Sequence, residues 1–183
     1  MADTDSGTPT VFLGDSLTEQ GDWAARFPEL SVVNQGVSGD TTEEVLARVP
    51  EIIAAKPGTI VVMVGTNDLA WRRGVDIIVR NIESILYRLR SELPDARILV
   101  QSVLPRDREL ADRVRDINIH VRQYAPNLHA EFVDLWPVFA EQDGELKAEF
   151  SDDRLHLNEA GYAAWAEVLR EALTHDAPSS VHL

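Results

Sequence analysis

Residues 11–17 read Val-Phe-Leu-Gly-Asp-Ser-Leu, an apolar run that stops abruptly at a glycine, an aspartate and a serine. An apolar run without polar alternation predicts a strand that is covered on both faces, as in a parallel sheet. The Gly-Asp-Ser step predicts a sharp exit from that strand, where a serine hydroxyl can stand at the edge of the sheet. This stretch therefore predicts a fold class together with a candidate nucleophile, Ser16.

Similar apolar runs recur along the chain and alternate with helical patterns. The predicted strands cover residues 10–13, 31–33, 59–64, 97–101 and 131–135. Apolar spacings of three and four predict helices over residues 17–26, 75–89, 110–124 and 162–173, and Thr41 with Glu44 predicts a capping box at the start of another. This βαβα order predicts an α/β protein, a three-layer α/β/α sandwich with about five parallel strands.

Polar residues follow the predicted strands at the points where those strands end. Ser16 follows the first strand, Gly36 the second and Asn67 the third, while Asp153 and His156 lie between the last strand and the last helix. Ligands of an open parallel sheet gather beyond the carboxyl ends of its strands. We therefore expect these segments, which are distant in sequence, to meet at one edge of the sheet.

The residue types at this edge are those that ester hydrolysis by a serine nucleophile requires. Ser16 would be the nucleophile and His156 the base, and Asp153 can reach His156 from three residues away and fix its tautomer. Two alternatives stay open: Ser16 as a helix N-cap, and Asp153 as the cap of the final helix beside a surface His156. Asp152 is a second candidate for the orienting carboxylate.

Ester hydrolysis also requires hydrogen-bond donors for the oxyanion, the negatively charged oxygen that develops on the substrate carbonyl. The backbone amides of Ser16 and Gly36 and the side-chain amide of Asn67 are the candidates, because none of them carries a proton that it would lose at working pH. The alternative is that Gly36 is an ordinary loop glycine and Asn67 a turn residue. Ser38 lies near Gly36, but it is not part of a Gly-x-Ser-x-Gly elbow and is not predicted to be a nucleophile.

Composition excludes several classes of protein. The 183 residues contain no cysteine, which rules out disulfides, zinc–thiolate sites and a cysteine nucleophile, and 44% hydrophobic content fits one packed domain. A net charge of -14 disfavours nucleic-acid binding. No apolar run approaches the roughly 20 residues that span a bilayer, and residues 1–9 do not resemble a secretory signal, so we expect no membrane insertion and a cytoplasmic location.

The chain resembles a known family through four blocks of sequence. Gly14-Asp15-Ser16-Leu17, Gly36, Gly65-Thr66-Asn67-Asp68 and Asp153-x-x-His156 are similar to the conserved blocks of the SGNH hydrolases, also called GDSL esterases and lipases. In detail, residues 36–42, residues 60–68 and Leu104-Pro105-Arg106 most resemble the catalytic-subunit branch of platelet-activating-factor acetylhydrolase. The similarity runs from about residue 10 to residue 173.

This resemblance implies a flavodoxin-like strand order 2-1-3-4-5 and hydrolysis without a metal or other cofactor. It also implies the roles given above for Ser16, Asp153, His156, Gly36 and Asn67. The predicted function is removal of short, chiefly acetyl, groups from a small-molecule, lipid or carbohydrate ester through an acyl-Ser16 intermediate. The alternatives are an acyltransferase or thioesterase with the same triad, or a non-catalytic binding module.

Three further expectations concern the acyl pocket, the domain limits and assembly. Leu17, Thr66 and Leu155 adjoin the catalytic residues and are predicted to wall a short acyl pocket, and Trp71 is predicted either to border its entrance or to be a core or interface aromatic. We expect one domain over residues 9–175, with flexible segments at 1–8 and 176–183. The resemblance also implies a possible homodimer.

Overall fold

The strands form at the apolar runs and pair into one parallel sheet. The computed structural model describes residues 7–174, and the predicted tail 176–183 and most of the segment 1–8 lie outside that part. The strands are β1 (Thr10–Gly14), β2 (Val32–Gly36), β3 (Thr59–Met63), β4 (Arg97–Gln101) and β5 (Ala130–Val133). They lie in the order β2-β1-β3-β4-β5. The α/β class and the strand order 2-1-3-4-5 are therefore confirmed.

Helices cover both faces of the sheet. They are α1 (Ser16–Glu19), α2 (Trp23–Arg26), α3 (Thr42–Ala54), α4 (Thr66–Ala70), α5 (Val75–Glu92), α6 (Ala111–Tyr124), α7 (Trp136–Phe139) and α8 (Glu159–Thr174). Apolar residues of α3, α5 and α6 pack on one face, whereas α2 and α8 pack on the other, where the fully buried aromatic side chains are found. Alternate residues of the central strands enter the two clusters, so the strands are buried on both faces, as their apolar runs predict.

The helix predicted over residues 17–26 is wrong, because the structure has two short helices there. Between α1 and α2 the chain turns at Gly21, against which the Trp23 indole packs so closely that a Cβ at residue 21 would collide with it. The Trp23 indole also donates to the Thr18 carbonyl oxygen at 2.7 Å. Asp22 then caps α2 by accepting from the Ala25 amide at 3.2 Å. The turn buries Trp23 in the aromatic layer, which a continuous helix would not do.

Strand β2 also differs from its prediction, and two short helices, α4 and α7, were not predicted. Strand β2 continues through Asn34 and Gln35 to Gly36, because it is an edge strand and its polar side chains remain partly exposed. The short helices α4 and α7 have too few residues to produce an apolar periodicity. Among the described helices, none combines the length and the apolar composition that a membrane crossing requires.

Candidate active site

Ser16 is the first residue of α1, directly beyond the carboxyl end of β1. Asp15 is the N-cap, and its Oδ1 atom accepts from the Leu17 amide at 3.0 Å. The Ser16 amide has no acceptor among the described residues, and the side chain is largely buried. Since Asp15 is the cap, the hydroxyl of Ser16 is not used for capping. A free hydroxyl and a free helix N-terminal amide thus lie together at the edge of the sheet.

Asp153 and His156 form a hydrogen-bonded pair in the loop before α8. His156 Nδ1 lies 2.8 Å from Asp153 Oδ2, while Asp153 Oδ1 accepts from the backbone amides of Leu155 at 2.9 Å and His156 at 2.8 Å. The hydrogen bond to His156 is the main reason that the pKa of Asp153 lies well below its usual range. The carboxylate is therefore ionised at neutral pH and fixes the ring with Nε2 directed away from it.

The two alternatives for this segment do not match the geometry. Asp152 is exposed and makes no hydrogen bond to His156. Helix α8 starts only at Glu159, and its first turn is capped by Asn158, whose Oδ1 atom accepts from the Gly161 amide at 3.0 Å. Asp153 is consequently engaged with His156 and its turn rather than with the final helix.

The side-chain amide of Asn67 lies at the start of α4. Its Nδ2 atom donates one hydrogen to the Asp40 carbonyl oxygen at 2.9 Å. An amide nitrogen carries two hydrogens, so one remains for another acceptor. The next residue, Asp68, is fully buried and accepts from the Thr42 amide at 2.8 Å and the Thr42 hydroxyl at 2.7 Å. These bonds join the start of α4 to the start of α3.

The Gly36 amide already has an acceptor, because it donates to Asn34 Oδ1 at 2.9 Å. A Cβ at Gly36 would collide with the backbone of Glu19, so glycine is required here for α1 to pack on the end of β2. Gly39 has a φ of +86°, open space where a Cβ would lie and an amide with no acceptor among the described residues. Of the two glycines, Gly39 is therefore the one with a free donor.

A buried ion pair fixes the loop that contains Gly39. Arg48 of α3 donates from Nε to Asp40 Oδ2 at 2.7 Å, and from Nη2 to the carbonyl oxygens of Gly14 at 2.9 Å and Gln35 at 2.8 Å. The side chains of Arg48 and Asp40 are only 15% and 12% exposed. One guanidinium thereby links the ends of β1 and β2 to the residue whose carbonyl oxygen holds Asn67.

The loop after β4 brings a second arginine to this edge. Arg106 Nη1 donates to the Thr66 hydroxyl at 2.8 Å, and its Nε atom is buried without an acceptor within residues 7–174. Burial lowers the pKa of Arg106, whereas the carboxyl groups of Asp107, Asp153 and Asp15 raise it. Asp15, which precedes Ser16, and Asp153, which is bonded to His156, therefore both lie within electrostatic range of one guanidinium.

The predicted pocket residues differ in their burial. Leu17 and Thr66 are almost fully buried, and Leu155 is half-buried beside His156. Trp71, just beyond α4, is 74% exposed, so it is not a core residue. The hydroxyl of Ser38 donates to the carboxylate of Glu19 and has no histidine partner.

No group of three or more His, Asp or Glu side chains within residues 7–174 is arranged to hold a metal ion. Sequence reasoning did not single out Asp15, Gly39, Asp40 and Arg48 as functional residues. The sequence signal that was missed is the adjacency of Asp15 to Ser16, and of Gly39 and Asp40 to the capping box of α3.

Comparisons with known proteins indicate a family and a shared fold. Residues 12–164 match the model of the GDSL-like lipase/acylhydrolase family. The chain is 32% identical over 184 residues to platelet-activating factor acetylhydrolase IB subunit alpha1 of Bos taurus, covering 94% of this chain and 78% of the relative. It is also 32% identical over 180 residues to subunit alpha2 of Rattus norvegicus, covering 92% and 77%. A GDSL-like lipase from Bacteroides thetaiotaomicron has a similar fold, with a TM-score of 0.80, 24% identity and coverage of 91% and 87%.

Proposed function

Because the chain belongs to the GDSL-like lipase/acylhydrolase family and is a serine ester hydrolase, we propose that it removes short acyl groups, chiefly acetyl, through an acyl-Ser16 intermediate. The observation that carries this proposal is the hydrogen-bonded pair of Asp153 and His156, with Nδ1 and Oδ2 at 2.8 Å. The proposal is supported by Arg106, which interacts electrostatically both with Asp153 and with Asp15, the residue before Ser16. A base with a fixed tautomer and an unused serine are the two parts that such a hydrolase needs.

The reaction takes place in two half-reactions. His156 Nε2 accepts the proton of Ser16 Oγ as this oxygen attacks the ester carbonyl, and the imidazolium, stabilised by Asp153, then returns the proton to the leaving alcohol. Water attacks the acyl-enzyme in the second half, with His156 again accepting a proton and passing it to Ser16. The products are a carboxylic acid and an alcohol, and the enzyme is regenerated.

The oxyanion is held by three donors from three segments. The Ser16 amide and the second hydrogen of Asn67 Nδ2 are two of them, as the sequence predicts. For the third we assign the Gly39 amide in place of Gly36, since the Gly36 amide is bonded to Asn34 Oδ1. Removal of one such donor costs about 3 kcal/mol of transition-state stabilisation.

The short acyl group follows from the burial around Ser16 and from the relatives. Leu17 and Thr66 are at most 2% exposed, which leaves their side chains little freedom to open a long channel. The similar proteins are named acetylhydrolases. Acetyl esters should therefore be turned over much faster than dodecanoyl esters, and comparable rates would contradict the proposed pocket of Leu17, Thr66 and Leu155.

The first test is steady-state hydrolysis of p-nitrophenyl acetate by the wild type, Ser16→Ala and Ser38→Ala, each checked for folding and assayed with EDTA. Ser38→Ala is the matched control, because this nearby hydroxyl is bonded to Glu19 and has no base. Activity lost only in Ser16→Ala supports the proposal. A wild-type rate equal to that of Ser16→Ala would contradict it.

Hydrolysis, acyl transfer and thioester cleavage would use the same residues. A product assay with competing alcohols, and a parallel assay with an acetyl thioester, separates these reactions. A large excess of acylated acceptor over free acid would show that the protein is an acyltransferase rather than a hydrolase. The cytoplasmic location and the homodimer also remain predictions, which cell fractionation and light scattering of the purified protein would test.

A further inference from the structure

The carboxyl group of Asp15, next to Ser16, is buried and only partly hydrogen-bonded. The residue is 1% exposed, and only Oδ1 has a partner, the Leu17 amide at 3.0 Å. The Oδ2 atom is buried with no hydrogen-bond partner among the described residues. A carboxylate in such a place would hold a charge away from water with one oxygen unsatisfied, which is strongly unfavourable.

The charged groups around Asp15 reinforce this conclusion. Asp40, beyond β2, and Asp68, in α4, both act on Asp15 as negative charges, but each has its own arginine. Arg48 reaches the neighbouring Gly14 carbonyl oxygen rather than Asp15. Asp15 thus faces two carboxylates whose charges are locally compensated, and it has no comparable ion pair in the part of the chain that the structure describes.

Two further groups approach from the other side. Arg106 interacts with Asp15 electrostatically, yet its hydrogen bonds go to Thr66, so it does not satisfy the free oxygen. The Tyr162 hydroxyl of α8 donates to the Leu17 carbonyl oxygen at 2.8 Å. Burial raises the pKa of Tyr162 above its ordinary value, so the phenol brings no charge near neutral pH. Neither group removes the cost of an ionised Asp15.

We propose that Asp15 is a positioning residue that must carry a proton for full activity, because the neutral carboxyl group holds the start of α1 and thereby the amide of Ser16 in place for the oxyanion. The inference rests on the proposed function of that amide. When Asp15 loses its proton, the charge draws water or a cation towards Oδ2 and shifts the first turn of α1. A negative charge beside the Ser16 amide also opposes the negative charge that develops on the substrate oxygen.

Asp15 changes its protonation near neutral pH. Burial is the main cause that raises the pKa of Asp15 to about 7, and the carboxylates of Asp40 and Asp68 add to it. The base His156 must be neutral, which gives kcat/KM an acid limb, whereas Asp15 must be protonated, so kcat/KM should also fall as the pH rises above about 7.

The test compares the wild type with Asp15→Asn, in which the amide oxygen can still accept from the Leu17 amide while no charge can form. We expect wild-type kcat/KM to fall about tenfold per pH unit above the alkaline midpoint, and Asp15→Asn to keep the acid limb but lose this fall. Asp22→Asn is the matched control, because Asp22 caps α2 in the same way at an exposed position. It should reproduce the wild-type profile.

Carbon-13 NMR of the Asp15 carboxyl and nitrogen-15 NMR of the Ser16 amide measure the protonation of Asp15 and its effect on the Ser16 amide without any substrate. The carboxyl resonance should titrate near neutral pH, and the Ser16 amide resonance should follow it. A carboxyl that ionises near its ordinary pKa, a Ser16 amide that ignores the titration, or an alkaline limb that persists in folded Asp15→Asn would overturn the inference. So would a folded Asp15→Asn that is inactive at every pH.

These readouts separate the inference from the proposed function. If the wild type is no more active than Ser16→Ala, the proposed function fails, yet the two NMR titrations still decide whether the proton on Asp15 positions the Ser16 amide. If Asp15→Asn does not fold, the wild-type titrations alone decide it.

Discussion

The ion pair of Arg48 and Asp40 should matter for catalysis although neither side chain is predicted to touch the substrate. Replacing Arg48 with Gln leaves the Asp40 carboxylate without its 2.7 Å partner and removes the donor from the carbonyl oxygens of Gly14 and Gln35. Loss of one partner of a fully buried pair costs about 3–5 kcal/mol. Since the two side chains keep 15% and 12% exposure, we expect a loss near the lower end, about 3 kcal/mol of unfolding free energy.

The effect on the rate follows from the Asp40 backbone. Its carbonyl oxygen accepts from Asn67 Nδ2 at 2.9 Å, and Gly39 precedes it in the chain. A looser loop therefore displaces two of the three proposed oxyanion donors together. Complete removal of one donor lowers kcat about 10²–10³-fold. Because displacement is only partial, we expect Arg48→Gln to lower kcat about 10–100-fold with little change in KM.

The assay pairs urea unfolding with steady-state kinetics on an acetyl ester, using Arg48→Lys and Arg90→Gln for comparison. Lysine keeps the charge but cannot serve the carboxylate and two carbonyl oxygens at once, so its kcat should be intermediate. Arg90 donates to the carbonyl oxygens of Pro94 at 2.7 Å, Ala96 at 2.9 Å and His129 at 2.8 Å, at the opposite edge of the sheet. Its removal should reduce stability without reducing kcat.

Two results would refute this reasoning. If Arg48→Gln loses stability but keeps the wild-type kcat, the Asp40 loop does not organise the oxyanion donors. If Arg90→Gln lowers kcat as much as Arg48→Gln does, the effect is a general consequence of a weakened fold.

Three other outcomes are expected. Asp153→Asn should lower kcat by about 10³-fold or more, since it leaves His156 without the carboxylate that fixes its ring, and a loss below tenfold in steady-state assays would contradict that role. Gly36→Ala should destabilise the fold by about 1–3 kcal/mol in urea unfolding, because its Cβ meets the Glu19 backbone, and an unchanged midpoint would count against this close packing. The pKa of Asp15 is raised to about 7 in the folded protein and is about 3.9 in the unfolded chain. Between these values the folded state keeps a proton that the unfolded chain loses. The free energy of unfolding of the wild type, relative to that of Asp15→Asn, should therefore fall by up to about 4 kcal/mol as the pH rises from 4 to 8. A difference that does not vary with pH in urea titrations would show that Asp15 has no raised pKa.

The sequence allowed the fold to be predicted because its signals are long or repeated. Five apolar runs alternate with helical spacings, and the central strands are buried on both faces as their composition predicts. The break between α1 and α2 was missed because the chain turns there to bury the Trp23 indole against Gly21, a tertiary contact. The extension of β2 through Asn34 and Gln35 was missed because an edge strand tolerates polar side chains.

The candidate site was predictable where its parts are local in sequence. The spacing of Asp153 and His156 indicated their contact, since three residues close one turn. The choice between Gly36 and Gly39 was not predictable, because it depends on which amide is left free after Asn34 has used one of them. The same holds for Asp15 and Arg48, whose surroundings are assembled from β1, β2, α3 and α4 and cannot be derived from their neighbours in the chain.

The turn from Asp153 to His156 contains the base, its carboxylate and the two backbone amides that hold that carboxylate, with Arg154 in the left-handed region at a φ of +59°. Such a turn keeps its internal geometry when it moves as a block, so the protonation of the histidine and its distance from Ser16 are separate properties. Substitutions elsewhere that tilt the block will slow the reaction and leave the acid limb of the pH profile where it was. Substitutions within the turn will displace that limb. The pH profile of a slow but still active variant should therefore show whether its substitution has moved the turn as a block or changed the turn itself.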